Sequence, residues 1–131
     1  MEYQHITEQD LHQFFQAFCQ DFASFNGKKI AERYATPYIS LNADGVLKLL
    51  ASVDDIANYF QNYLNQYREQ GCSDCRYYDL SFVLLGAHRV VVSVTWQLYN
   101  LHQQLVTTWR ESYNLLKNSQ GLFIYASTDH A

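Results

Sequence analysis

After Gly71 the apolar residues of this 131-residue chain change period, and no other feature restricts its fold as much. Before that glycine they recur every three or four positions; beyond it they alternate. From Arg89 to Leu101, Val90, Val92, Val94, Trp96 and Leu98 fall on one face of an extended strand, and Val91, Ser93, Thr95, Gln97 and Tyr99 on the other. Three further β-rich runs, Tyr77 to Leu85, Leu105 to Lys117 and Leu122 to Ser127, flank it. The connectors Gly86-Ala87-His88, His102-Gln103-Gln104 and Asn118-Ser119-Gln120-Gly121 are of hairpin length, so the pattern predicts a four-stranded antiparallel meander. The valine-rich face should meet the helices. The other face is only partly polar, and Val83 and Leu85 oppose Leu80, Phe82 and Leu84 on the preceding strand, so a homodimer through the sheet is expected.

The first half reads as helices. Leu11, Phe14, Phe15, Phe18, Cys19, Phe22 and Phe25 give one buried stripe from Thr7 to Phe25, with Thr7 as N-cap and Asp10 in the first turn. Asn26-Gly27 interrupts it, because Gly readily takes the left-handed conformation that closes a helix, and Lys28 to Tyr34 then forms a short second helix. Pro37 begins an extended segment, Tyr38 to Asn42, joined through Ala43-Asp44-Gly45 to Val46–Leu50 as a hairpin. Ser52 caps a third helix carrying Ile56, Tyr59, Phe60, Tyr63, Leu64 and Tyr67 to about Gln70.

Hydrophobic residues make up 48% of the chain and charged ones 17%, a balance that folds into a single domain spanning 1–131. Eleven Tyr, eight Phe and two Trp suit cores, pocket walls and interfaces alike. With a formal net charge of −4 and scattered basic residues, no stripe is available for phosphate backbones, so no nucleic acid is expected as partner. No apolar run reaches the length of a membrane span, and Met1-Glu2-Tyr3-Gln4-His5 lacks a basic segment followed by an apolar one, so a cytoplasmic location and no membrane partner are expected. Three Cys, at 19, 72 and 75, are then expected as reduced thiols.

The order helix, short helix, hairpin, helix and four long strands resembles the nuclear transport factor 2-like superfamily, which includes ketosteroid isomerases and SnoaL-like polyketide cyclases. The resemblance covers nearly the whole chain. It is carried by Phe25-Asn26-Gly27-Lys28-Lys29-Ile30-Ala31-Glu32-Arg33-Tyr34-Ala35, by Ser52 to Phe60, by Val94-Thr95-Trp96 and by Tyr113-Asn114-Leu115-Leu116 before Gly121. It implies an α+β cone, a curved antiparallel sheet wrapped around the long N-terminal helix with two further helices, open to a pocket at one end. That frame hosts enzymes, binding modules and interaction domains, so the residues must decide the chemistry.

The isomerase mechanism that this resemblance implies needs a carboxylate base on the first hairpin and an oxyanion hole of a Tyr and a neutral acid, as in ketosteroid isomerases. Counted from Tyr34, Asn42 stands at the base position and Phe18 where the Tyr donor would be, which disfavours that mechanism. The neutral acid's place falls on Glu111 or Ser112, one register apart; a Glu111 pointing inward would have a raised pKa and could do acid–base work. Cys72-Ser73-Asp74-Cys75 supplies half a zinc site and no second ligand pair follows, so it reads as an ordinary loop pair. His5, His12, His88, His102 and His130 are dispersed, so neither a metal nor a cofactor is expected. His130 with Asp129 could fold over the cone mouth.

Tyr59, Tyr63 and Tyr67 follow from helical spacing alone, yet a buried Tyr needs a partner for its hydroxyl. Phe18, Phe22, Asn42, Tyr59, Tyr63, Trp96, Ser112 and Asn114 form the expected pocket, apolar with a few polar anchors. The function expected is binding of a small apolar or aromatic molecule. The alternatives are a SnoaL-like isomerase, cyclase or dehydratase using Glu111 as the catalytic residue, and an interaction module whose cone is filled by its own side chains.

Overall fold

The structure, a computed structural model, describes residues 5–131; the opening Met1–Gln4, part of the segment searched above for a leader pattern, lies outside the described residues. Three helices, α1 (Glu8–Ala23), α2 (Gly27–Ala31) and α3 (Val53–Glu69), accompany six strands. These are β1 (Tyr34–Leu41), β2 (Leu47–Leu50), β3 (Asp74–Leu84), β4 (Arg89–Tyr99), β5 (Leu105–Asn118) and β6 (Gly121–Asp129). They form one unclosed sheet in the order β2-β1-β6-β5-β4-β3. β3 to β6 are the expected meander, and β1–β2 the expected hairpin. The sheet is mixed, because β1 lies parallel to β6. Bulges interrupt the ladders after Tyr78, Leu98 and Asn114, each adding twist that bends the sheet around the helices.

One-sided burial explains the periods. Val90, Val92, Val94, Trp96 and Leu98 are all buried, and their alternate neighbours on β4 are half-buried. On α1, Leu11, Phe14, Phe15, Phe18 and Phe22 bury the stripe against that face. Thr7 and Asp10 form a reciprocal capping box: Asp10 N donates to Thr7 Oγ1 at 3.1 Å and Thr7 N to Asp10 Oδ2 at 2.9 Å. No helix among the described residues is long and apolar enough to cross a membrane.

Three local expectations change. Phe25, not Gly27, takes the left-handed conformation after α1, with φ of 52°. Gly27 begins α2 under an Asn26 cap, where a Cβ would stand 2.3 Å from the Ala57 carbonyl oxygen, so its lack of a side chain lets α2 lie against α3. The second helix stops at Ala31 and Tyr34 already belongs to β1, because Ile124 N of β6 donates to the Arg33 carbonyl and draws the chain into the sheet before Pro37. Finally, β3 starts at Asp74, which puts Cys75 in a strand and not in a loop pair with Cys72; both thiols are buried and free.

Candidate functional site

The ends of β1, β4 and β6 and the starts of β3 and β5 meet at one end of the sheet, and α3 lies across them. A cavity of about 230 Å3 remains there. α3 supplies Tyr59, Phe60, Tyr63, Leu64 and Tyr67; α1 and α2 supply Phe18, Phe22 and Ile30; β1 supplies Tyr34, Tyr38 and Ser40. The floor comes from Cys75, Trp96 and Leu98 and from every second residue of β5, Trp109, Glu111 and Tyr113, with Asp129 at the end of β6. None of these side chains is basic.

The register ambiguity is resolved on β5. Glu111 pairs with Val94, whose side chain is fully buried on the concave face, so Glu111 points inward. Ser112 therefore faces outward, where its hydroxyl meets Ser93 Oγ at 2.6 Å and His130 Nε2 at 2.7 Å. Asn114, two residues on, shares that outer face and lines no part of the cavity. Asn42 is also outside it. It follows the last residue of β1 and turns its Oδ1 onto the N–H groups of Asp44 and Val46, capping the hairpin turn; from β1 the inward polar group is Ser40. Of the expected pocket set, Phe18, Phe22, Tyr59, Tyr63 and Trp96 do converge on the cavity, and Asn42, Ser112 and Asn114 do not.

Strand alternation also divides the pair at the C-terminus. Asp129 pairs with Glu111 across β5–β6 and faces the cavity, whereas His130 turns to the outer surface. The two carboxyls thus sit side by side in an aromatic wall. Removal from water pushes the Glu111 carboxyl up to about 8, and the neighbouring Asp129 charge acts in the same direction; bonds from Trp109 and Tyr113 offset this only in part. Trp109 Nε1 donates to Glu111 Oε1 at 2.9 Å. Burial raises Asp129 as well, against lowering by its hydrogen bond to Glu111 and by His130. The consistent state is one proton held between two acids, with Glu111 its main bearer.

The rings around the dyad are fixed by one another. Tyr67 stacks on Trp109 at 5.9 Å between centroids and 15° between planes, and Tyr34 meets Tyr38 edge-on at 4.6 Å. Trp96 Nε1 donates to the Tyr113 hydroxyl at 2.7 Å, leaving the Tyr113 proton free to serve Glu111. Tyr59 and Ser40 hydroxyls are 3.2 Å apart, and Tyr38 bonds Ser127. Burial raises the Tyr34, Tyr38, Tyr67 and Tyr113 hydroxyls well above their ordinary range, and Tyr63 to about 12, so they stay neutral donors. Cys75 also stays a thiol, held so by a hydrogen bond with Cys19 and by burial.

Sequence reasoning did not place Tyr34, Tyr38, Ser40, Tyr67, Trp109 or Tyr113 in the pocket, and it brought Asp129 only to the cone mouth, as a pair with His130. The alternation Trp109, Glu111, Tyr113 on β5 carries that signal once the phase is known; Asp129 carries none, because its partner is eighteen residues away across a hairpin. Among the described residues no group of three or more His, Cys, Asp and Glu side chains could hold a metal ion.

The model of a family described as NTF2-like protein (DUF6841) matches residues 8–131. No curated protein matches. Among solved structures, a putative calcium/calmodulin dependent protein kinase II association domain from Xanthomonas campestris superposes with a TM-score of 0.70 at 18% identity, covering 100% of this chain and 96% of that one. Aln2 from a Streptomyces species gives 0.76 at 11% identity, covering 96% and 93%. An NTF-2 like protein of unknown function from Shewanella oneidensis gives 0.71 at 12%, covering 94% and 98%. At these identities the likeness establishes the fold alone.

Proposed function

The chain belongs to the NTF2-like family DUF6841, and we propose that within it this domain binds one small, largely apolar or aromatic molecule at the end of the cone. The observation that carries this reading is the unfilled cavity of about 230 Å3 with eleven aromatic side chains in its wall. A dry cavity of about 150 Å3 already holds benzene, so this one has room for a substituted single ring. Phe18, Phe22 and Trp96 line that space without filling it, which weighs against an interaction module with a filled cone.

Thermal melting with a panel of single-ring aromatic molecules tests the reading. A ligand at a hundred times its Kd should stabilise the fold by about 2.7 kcal/mol and raise Tm saturably. A panel that leaves Tm unchanged counts against it.

A second reading, isomerase, cyclase or dehydratase chemistry, is favoured by Glu111, a carboxyl that keeps its proton near neutral pH beside an acid able to take one. Unchanged turnover of every screened substrate by Glu111→Gln would refute that role. A homodimer through the outer face of the sheet and a cytoplasmic setting, in keeping with free Cys19, Cys72 and Cys75, belong to the same proposal.

A further inference from the structure

The charge balance of the cavity is one-sided. Two carboxyls, Glu111 and Asp129, are paired across β5–β6 and open onto it, and among the described residues no Lys, Arg or His lines it. The remaining polar groups of the wall are the Ser40 and Tyr hydroxyls, the Cys75 thiol and the indole N–H groups. Of the indoles, Trp96 is bonded to Tyr113 and Trp109 to Glu111. Lys48 and His130 stay outside the lining: Lys48, which pairs with Ser40 on the same face of the β1–β2 hairpin, lies over the Tyr59 ring at 5.4 Å, and His130 points to the outer surface against Ser112. An anion entering this space would meet like charge from the dyad and the negative faces of aromatic rings, with neutral hydroxyl donors but no cation in the lining to offset them. A cation would meet the reverse, since ring faces attract ammonium groups, most strongly where water is excluded.

On the reading that the cavity holds a small molecule, we propose that the molecule is an organic cation: an ammonium or amidinium group seated against Glu111 and Asp129, carried on an apolar or aromatic body that packs among Tyr34, Tyr63, Tyr67 and Trp109. One shared proton leaves the dyad with a single negative charge, enough to balance one cation. A bound cation favours loss of that proton, so binding below the dyad's upper titration is accompanied by proton release. The titratable groups facing the dyad are Tyr34 and Tyr38 from β1, Tyr59, Tyr63 and Tyr67 from α3, Tyr113 from β5 and Cys75 from β3, with His130 adjoining Asp129 on β6. α1, α2 and β4 present only Phe18, Phe22, Ile30, Trp96 and Leu98. The tyrosines and Cys75 named above as raised hold their protons through neutral pH, which leaves the dyad as the source of a released one.

Three probes of nearly equal shape separate the outcomes: benzylammonium, benzyl alcohol and benzoate, titrated calorimetrically at pH 7 in buffers of different ionisation heat. Benzylammonium should bind about ten-fold or more tightly than benzyl alcohol, release a fraction of a proton, and outcompete benzoate entirely. The double variant Glu111→Gln, Asp129→Asn should bind benzylammonium no better than benzyl alcohol, while its unchanged affinity for benzyl alcohol shows that the cavity is intact. Benzyl alcohol or benzoate binding as tightly as benzylammonium would overturn the cation assignment and leave the ligand-binding reading standing. Binding of none of the three at about 10 mM would overturn both. If the double variant loses benzyl alcohol as well, the single Asp129→Asn variant decides: benzylammonium binding undiminished in it overturns the assignment.

Discussion

Replacing Glu111 by Gln should make the protein more stable in mild alkali, and the size of the gain follows from the site. In the unfolded chain Glu111 ionises near its ordinary 4.5, whereas in the folded state it keeps its proton to about 8. A raised carboxyl pKa means that the folded state binds the extra proton, so the stability it confers is present at low pH and is lost as pH rises from 4.5 through 8. At about 1.4 kcal/mol per pH unit the full loss would be about 4 to 5 kcal/mol. Glu111 borders an open cavity, and solvent there together with the titration of Asp129 reduces this to about 2 kcal/mol. Gln cannot ionise, and its amide oxygen keeps the bond from Trp109 Nε1, 2.9 Å in the parent. Urea unfolding of both proteins, followed by tryptophan fluorescence at intervals from pH 5 to 9, isolates the effect of the dyad, since titrations not coupled to Glu111 cancel in the difference. The two should be within about 1 kcal/mol of each other at pH 5 and diverge in favour of Glu111→Gln as pH rises from 5 to 8. Parallel curves across that range would refute the inward, proton-holding Glu111.

Other perturbations follow from the same contacts. Gly27→Ala would drive a methyl group against the Ala57 carbonyl oxygen and Gln61 N, so separating α2 from α3 should cost about 2 to 3 kcal/mol in urea unfolding; a neutral result would mean that the close approach is not real. Thr7→Ala removes one half of the capping box of α1 and should cost about 1 kcal/mol by the same assay. Light scattering after size exclusion should find a dimer, and Val83→Lys, placed on the exposed outer face of β3, should shift it toward monomer; a parent protein that elutes as a monomer would remove the dimer from the proposal.

How far the sequence discloses this molecule depends on whether a feature is one-sided or shared. The α1 stripe and the alternation on β4 are legible because one face of each is buried, and burial writes itself into the period. The parallel pairing of β1 with β6 leaves no such mark, since it depends on where two distant segments meet. The same distinction governs the site. Phe18, Phe22 and Trp96 belong to buried stripes and can be placed; Glu111 needs a phase that only its pairing with Val94 supplies. Asn42 escapes the reading because parity along β1 continues past the strand's last residue, where the side chain is taken by the turn. Asp129 and His130 look like one unit in the sequence, yet consecutive strand residues point to opposite faces.

The most direct test of the account is whether the cavity admits a ligand at all. The indole N–H resonances of Trp96 and Trp109, one bonded to Tyr113 and the other to Glu111, report on its wall from two sides. Titration with single-ring aromatic fragments, among them benzylammonium, should shift both resonances saturably and together, with the larger change at Trp109 for the cation. Indole resonances that stay in place at saturating concentrations of every fragment would contradict the account.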